Sequence, residues 1–363
     1  MPNAEITGWG KCLPPAVLSN HDLEKLTDTS DEWITTRTGI KERRISHVEV
    51  SDMAEVAARR ALAAAGRDVD DVDLIVLATC TADSLIPSAA AVLQDKLGAH
   101  RAAAFDLNAA CSGFVYSMVV ASNMITAGTS RTVLVIGAEK LHYHLDFTDR
   151  STAVLFGDAA GAVVMEATDA PVGLLASELG MDGSVWDILR VPKDGSAGAP
   201  GPRGPEDGGI RMNGPEVFRR AVTTMGEASA RALSEAGLGV DDIDLFIPHQ
   251  ANVRIIDAAA RRLGLPDSKV FVNIGSYGNT SAATIPVALT EALEEGRVPP
   301  GGVLVFAAFG AGLSWASAVM RWGERVTPLG TSDAELPPTD ADAIDLLQPN
   351  LDFYGRPELG GDS

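Results

Sequence analysis

Two rhythms of apolar residues alternate along the chain. Unbroken runs such as Leu74-Ile75-Val76-Leu77, Val133-Leu134-Val135-Ile136 and Val303-Leu304-Val305-Phe306 predict strands buried on both faces. Between such runs the apolar residues fall at helical spacing. After Cys111 they recur at Phe114, Val115, Met118 and Val119, with Ser122 on the same stripe, and Gly128 is the expected helix stop. The segment before it, Ala102 to Leu107, is apolar apart from Asp106 and predicts a buried strand ending in a tight turn of small residues. Strands alternating with helices predict an α/β fold of sheets sandwiched by helices.

The pattern is written twice. Arg60-Ala61-Leu62-Ala63-Ala64-Ala65-Gly66 leads into Val69-Asp70-Asp71-Val72-Asp73-Leu74-Ile75-Val76. Arg231-Ala232-Leu233-Ser234-Glu235-Ala236-Gly237 leads into Val240-Asp241-Asp242-Ile243-Asp244-Leu245-Phe246-Ile247, at an offset of 171. Thr132–Gly137 is matched by Gly302–Ala307 at an offset of 170, and Gly161–Met165 is echoed by Trp315–Met320. A period this long means pseudo-twofold duplication. The expected division is one half over 1–170, a second over 171–322, and an extension over 323–363. From Glu324 onward nine acidic residues face two basic ones, which predicts an extended segment whose islands 344–347 and 351–354 dock on a surface. Residues 191–210, rich in Gly and Pro, predict a mobile loop.

Composition narrows the function. The 363 residues carry a net charge of −20, which argues against nucleic acid as a partner. An anionic ligand would need a local basic patch against that field. No long hydrophobic run and no basic-then-apolar leader is present, so neither a membrane span nor a signal peptide is expected. Three cysteines, Cys12, Cys80 and Cys111, fit no metal spacing and no disulfide framework, which suits a reducing cytoplasm.

Candidate chemistry centres on Cys111. A thiol at a helix N-terminus should ionise more easily than a free one, and Ala109, Ala110, Ser112 and Gly113 leave room for a bulky acyl group. The second copy places His249 at the end of the strand equivalent to Leu74–Leu77. It places Asn279 where the repeat puts Cys111. Ser30 is positioned to cap a helical turn that sets Trp33 and Arg37 on one face, a pair suited to a purine ring and a phosphate.

These residues, with Asp31-Glu32-Trp33-Ile34, Ala110-Cys111-Ser112-Gly113-Phe114, Phe156-Gly157-Asp158-Ala159-Ala160-Gly161, Pro248-His249-Gln250-Ala251-Asn252 and Gly278-Asn279-Thr280-Ser281, resemble the condensing enzymes of the thiolase superfamily, most closely the β-ketoacyl-acyl-carrier-protein synthase III family. The resemblance covers about 1–322. It implies a thiolase-like fold, two duplicated α/β halves in a layered α-β-α-β-α sandwich. It implies an acyl-CoA-derived starter on Cys111, condensed with malonyl-acyl carrier protein as His249 and Asn279 stabilise the enolate, and an oxyanion hole from the N–H groups of Cys111 and Ala311. Ala311 stands where the family usually has glycine, so that corner is expected to be slightly reshaped.

By the same resemblance Trp33, Arg37, Thr38, Arg150 and Asn252 would hold CoA. Leu141, Phe156 and Met212 would line the acyl pocket, closed by Ile86 from the partner in a homodimer, with Thr81 to Pro87 as the crossing segment. Arg219 and Arg254, with Arg220, Arg261 and Arg262 as neighbours, would form the basic patch for the acidic carrier protein. No cofactor is implied beyond acyl-CoA as substrate, and no metal. The unusual run 141–147, the 191–210 loop and the acidic tail point toward a specialised enzyme starting an aromatic or branched polyketide. Two alternatives stay open: acyl transfer from Cys111 to a hydroxyl or amine without C–C bond formation, and a non-catalytic partner subunit.

Overall fold

The computed structural model describes residues 1–192, 196, 204 and 208–355. Most of the 191–210 loop and the tail beyond 355 lie outside the described residues. Thirteen strands are described: β1 (Asn3–Cys12), β2 (Ala16–Ser19), β3 (Glu42–Ile45), β4 (Leu74–Ala78), β5 (Ala103–Leu107), β6 (Thr132–Lys140), β7 (Asp158–Thr168), β8 (Gly173–Met181), β9 (Leu189–Arg190), β10 (Arg211–Met212), β11 (Leu245–Pro248), β12 (Val303–Gly310) and β13 (Ser314–Arg321).

One sheet runs β1-β7-β6-β4-β5 and a second runs β11-β12-β13-β8. Each contains a parallel pair made from the unbroken apolar runs. Leu74 pairs with Val133 in the first sheet, and Leu245 with Leu304 in the second. Both residues are thus related by 171, so the offset of 170 read for the later strand is corrected by one residue. Strand β5 also departs from expectation. It is an edge strand whose residues are exposed or half-buried, with Phe105 showing 36% of its surface. Apolar content alone does not tell a central strand from an edge awaiting a neighbour.

Two helices, Gly113–Thr126 and Thr284–Glu294, lie between the sheets. Phe114, Val115 and Met118 of the first meet Ile285 and Leu289 of the second, with Val76 and Val135 on one side and Ile247 and Phe306 on the other. A cavity at Phe114 would remove about 3–5 kcal/mol, because the layer is packed from every side. Helices Val50–Ala65 and Ala89–Leu97 cover the outer face of the first sheet. Helices Gly214–Glu235 and Val253–Leu263 cover that of the second. The result is the expected α-β-α-β-α sandwich. Gly137 on β6 lets the two halves close: a side chain there would strike the Ala282 carbonyl at 2.2 Å.

The acidic tail is not simply extended. Residues 323–342 run across the first half, where Leu329 N–H donates to Ala64 O at 2.9 Å and Arg60 donates to Ala334 O at 3.0 Å. The chain then forms a helix, Ala343–Tyr354. Asp342 caps it, accepting from Asp345 N–H at 2.8 Å. Leu347 and Leu351 are buried in a cluster with Leu141, Leu145 and Ile210. Both islands therefore belong to one helix, with Leu347 and Leu351 on its buried stripe and Asp345, Asp352 and Phe353 exposed.

Candidate active site

Cys111 sits in a 3-10 turn, Ala110–Ser112, between β5 and the helix Gly113–Thr126. Ala110 is in the left-handed region with φ 47, and its N–H donates to Asn108 Oδ1 at 3.2 Å. The second half repeats this turn at the same offset. Ser281 has φ 49, and its N–H donates to Asn279 Oδ1 at 2.9 Å. Asn279 is thus the counterpart of Asn108, and Cys111 corresponds to Ala282. The expected equivalence of Asn279 with Cys111 is off by three residues, because the repeated feature is the asparagine-held turn.

At this helix N-terminus the thiol's pKa is nonetheless raised. Burial pushes the Cys111 thiol up to about 12, and the Glu139 carboxylate raises it further against a hydrogen bond from Ser281. Desolvation outweighs the helix end. Gly310, at the end of β12, brings that strand onto the cysteine: a side chain there would come 2.7 Å from Cys111 N. Ala311 follows it into the cavity wall and is not among the residues with positive φ, so its methyl strains nothing.

His249 follows β11, with its N–H on Ala307 O at 2.7 Å, and is 2% exposed. Burial pulls the imidazole down to about 3, so it is neutral at ordinary pH. Nδ1 lies 2.7 Å from Thr284 Oγ1, which is also 3.0 Å from Ser281 O. When the Thr284 proton turns toward Nδ1, Nε2 carries the ring N–H; when it turns toward Ser281 O, Nε2 is bare. Asn279 is tied to the first half through Asn279 N–H on Leu155 O, 2.8 Å, and Gly157 N–H on Asn279 O, 3.1 Å. With Oδ1 occupied by Ser281 N–H, its Nδ2 is the group left to donate.

Cys111, His249 and Asn279 line one cavity of about 1000 Å³, together with Asn108, Phe309 and Ala311. Leu141, Phe156 and Met212 line it as expected, and Trp33, Arg37, Thr38, Asn252 and Arg254 also border it. The Arg37 and Arg150 guanidinium groups lie 4.7 and 5.2 Å from the Trp33 ring, and Ser30 caps the helix Asp31–Thr38 that carries it. Thr38 differs in detail: its hydroxyl is held by Ile34 O at 2.7 Å and by Ile40 N–H at 3.0 Å. Asn252 Oδ1 accepts from Arg254 N–H at 2.9 Å and caps the helix Val253–Leu263. Ile86 is 84% exposed and is not part of this wall.

The basic patch is weaker than its sequence. Arg219 and Arg220 both pair with Glu216 at 2.6 and 2.7 Å, Arg220 also meets Asp182, and Arg262 meets Glu227. Arg254 instead donates to Thr36 O at 3.1 Å. Glu216, one turn away, and Asp182 and Glu227, from other elements, offset what a count of arginines implies.

The sequence reading missed a group beneath the cysteine. Glu139, fully buried at the end of β6, accepts from Thr81 Oγ1 at 2.6 Å, Cys80 N–H at 3.1 Å and Ser281 Oγ at 3.0 Å. Burial raises its pKa. Its signal was a lone acid closing the apolar run Val133–Ala138. Asn108 was visible as well, at the position 171 before Asn279.

A thiol, a neutral histidine and an asparagine sharing one tunnel, on a duplicated five-layer sandwich, define a thiolase-fold enzyme. Residues 105–183 match the family described as 3-oxoacyl-[acyl-carrier-protein (ACP)] synthase III, and residues 233–322 match its C-terminal region. The chain is 54% identical over 356 residues to beta-ketoacyl-[acyl-carrier-protein] synthase III 2 of Vibrio cholerae serotype O1, covering 97% of this chain and 98% of that one. The crystal structure of 3-oxoacyl-[acyl-carrier-protein] synthase III from Aquifex aeolicus VF5 superposes with a TM-score of 0.83 at 47% identity, over 88% of this chain and 100% of that one. The priming beta-ketosynthase from the R1128 polyketide biosynthetic pathway gives 0.82 at 37%, over 89% and 97%. The chain belongs to the 3-oxoacyl-[acyl-carrier-protein] synthase III family.

Proposed function

We propose that the protein joins an acyl-CoA-derived starter, held on Cys111, to malonyl-acyl carrier protein with loss of CO2, giving a 3-oxoacyl-acyl carrier protein that begins a fatty acid or polyketide chain. The observation that carries the reading is the meeting of Cys111, His249 and Asn279 in one largely apolar cavity bordered by Trp33 and Arg37, with the Arg150 guanidinium also near the Trp33 ring. The names of the relatives support it.

The thiol is buried and neutral at rest, so its proton leaves as the sulfur attacks the acyl thioester. The S–C bond to Cys111 forms, the C–S bond to CoA breaks, and the CoA sulfur departs with a proton. When malonyl-carrier protein enters, its C–CO2 bond breaks and the electron pair moves onto the thioester oxygen. The Asn279 Nδ2 and the His249 ring N–H donate to that oxygen, with Thr284 setting the tautomer. A neutral ring suits this task, because it donates without drawing a permanent counter-charge. The carbanion then attacks the acyl carbon. The N–H groups of Cys111 and Ala311 hold the resulting oxyanion, and its collapse expels the Cys111 sulfur.

The CoA adenine stacks at Trp33, between Arg37 and Arg150, with Thr38 and Asn252 as apolar and backbone wall. Arg254 and Arg219 guide the carrier protein. The enzyme works as a homodimer: Leu85 and Ile86 stand exposed on the Thr81–Pro87 segment beside the open edge of β5, and Ile86 of a second copy closes the acyl pocket. Among the described residues no helix is long and apolar enough to cross a membrane. A cytoplasmic enzyme needing no cofactor beyond its CoA-borne substrate fits this chemistry.

Intact-mass spectrometry against a panel of acyl-CoAs tests the reading. Wild type should gain one acyl mass and Cys111→Ser none. Malonyl-carrier protein should then release CO2 and the 3-oxoacyl product. Normal loading by Cys111→Ser would overturn the assignment, and acyl transfer to a hydroxyl or amine without CO2 would turn it to plain acyl transfer.

A further inference from the structure

The C-terminal helix Ala343–Tyr354 lies behind the tunnel wall and is fastened to both segments that form it. Asn350, buried within the helix, donates through Nδ2 to His142 O at 2.7 Å and Leu145 O at 2.9 Å. The first carbonyl lies within the 3-10 turn Leu141–His144 and the second directly follows it, and Leu141 and His144 of that turn border the tunnel. The turn is held from the other side by Asp158, which accepts from His142 N–H at 3.0 Å and contacts its ring.

At the end of the same helix the Tyr354 hydroxyl hydrogen-bonds the Gly209 backbone, and a side chain at Gly208 would lie 2.6 Å from it. The next residue, Ile210, borders the tunnel and donates its N–H to His144 O at 2.9 Å. Arg211 pairs with Asp146 at 3.1 Å, and Met212 is again tunnel wall. One helix therefore clamps the 141–145 segment to the 210–212 segment.

The family match ends at residue 322, before this helix begins. The Aquifex and R1128 structures are matched over 100% and 97% of their own lengths while spanning 88% and 89% of this chain. The Vibrio relative spans 97%.

We propose that the C-terminal helix is a specificity element, which fixes the 141–145 and 210–212 walls and thereby decides which acyl chains reach Cys111. This rests on the reading of Cys111 as the acyl acceptor. A wall whose backbone cannot move rejects a chain one or two carbons too long by overlap, whereas a wall free to shift accepts it. A well-shaped pocket separates neighbours by one methylene about 10–200-fold. Asn350 and Tyr354 act through the wall and touch no substrate, so they are positioning residues.

The test is kcat/KM for loading across straight-chain acyl-CoAs of two to ten carbons, in wild type, Asn350→Ala and Tyr354→Ala. Asn350→Ala takes the side-chain donor from Leu145 O and leaves His142 O with the Leu145 N–H alone, and Tyr354→Ala cuts the second attachment at the half-buried end of the helix. Each variant should flatten the preference, lowering the ratio of best to worst chain at least fivefold through KM. Condensation of an already loaded enzyme should stay within twofold. A profile unchanged in both variants overturns the proposal, and if Asn350→Ala does not fold, Tyr354→Ala alone decides. If wild type loads no acyl-CoA at all, the reading of Cys111 fails first and this proposal falls with it. Selective wild type with equally selective variants sinks the clamp alone.

Discussion

His249 is buried without a charge partner, and that makes it a source of acid sensitivity that can be measured. The unfolded histidine titrates near 6.5, while burial holds the folded one near 3. Above pH 6.5 both states are neutral and the residue adds no pH dependence. As pH falls below 6.5 the unfolded state takes up a proton that the folded state refuses, so stability drops until pH reaches about 3. By pH 5 the loss is about 2 kcal/mol, and it would reach about 4 kcal/mol if the fold survived to pH 3. The perturbation is His249→Asn, which keeps a polar side chain for Thr284 and removes the titration. Urea unfolding followed by tryptophan fluorescence at pH 8 and pH 5 gives the stability of each protein. The wild-type difference between the two pH values should exceed that of the variant by about 2 kcal/mol. Glu139 and other buried acids titrate in both proteins and cancel in this comparison. Equal pH differences would refute the reasoning, because they would mean that His249 is solvated or paired when folded. The same shift predicts that the pH profile of condensation shows no limb from an imidazole between pH 5 and 8.

Three further outcomes follow from the site. Asn279→Ala should load an acyl group normally but decarboxylate malonyl-carrier protein about 10²–10³-fold more slowly, as expected for one lost oxyanion donor; single-turnover CO2 release measures it, and failed loading would reverse the roles. Trp33→Ala should raise the KM for acyl-CoA about tenfold with kcat little changed, since two cations lose the ring they flank; an unchanged KM in steady-state loading would place the adenine elsewhere. Arg254→Glu should raise the KM for malonyl-carrier protein, most at low salt, and leave acyl-CoA loading near wild type; equal damage to both half-reactions, or a KM indifferent to salt, would show that the two substrates do not use separate contacts.

How far the sequence went depended on what kind of pattern each feature leaves. The buried runs of β4, β6, β11 and β12 could be read because a strand covered on both faces has no polar break. Cys111, His249 and Asn279 could be placed because the duplication fixes strand ends. The state of the thiol could not be read, because a helix start is visible in sequence and the burial that outweighs it is not. The exposure of β5 was hidden for a related reason: the apolar residues of an edge strand read the same as those of a central one. The tail misled through composition, since acidic residues on the open face of a docked helix count the same as those in an extended strap. Arg219 and Arg220 were miscounted because Glu216, one turn away, was not weighed with them.

The matched left-handed turns at Ala110 and Ser281 change how the asparagine should be understood. In both halves an asparagine carbonyl holds such a turn, so the residue serves the backbone through its oxygen and leaves its amide nitrogen to the cavity. Perfect symmetry would have given the molecule two half-equipped reaction centres facing each other across the axis. The chain has instead blanked one of them. Ala282 occupies the counterpart of the thiol, and Ala78 the counterpart of His249. The two copies thus share one frame and carry different side chains on it, the thiol on the first and the imidazole on the second.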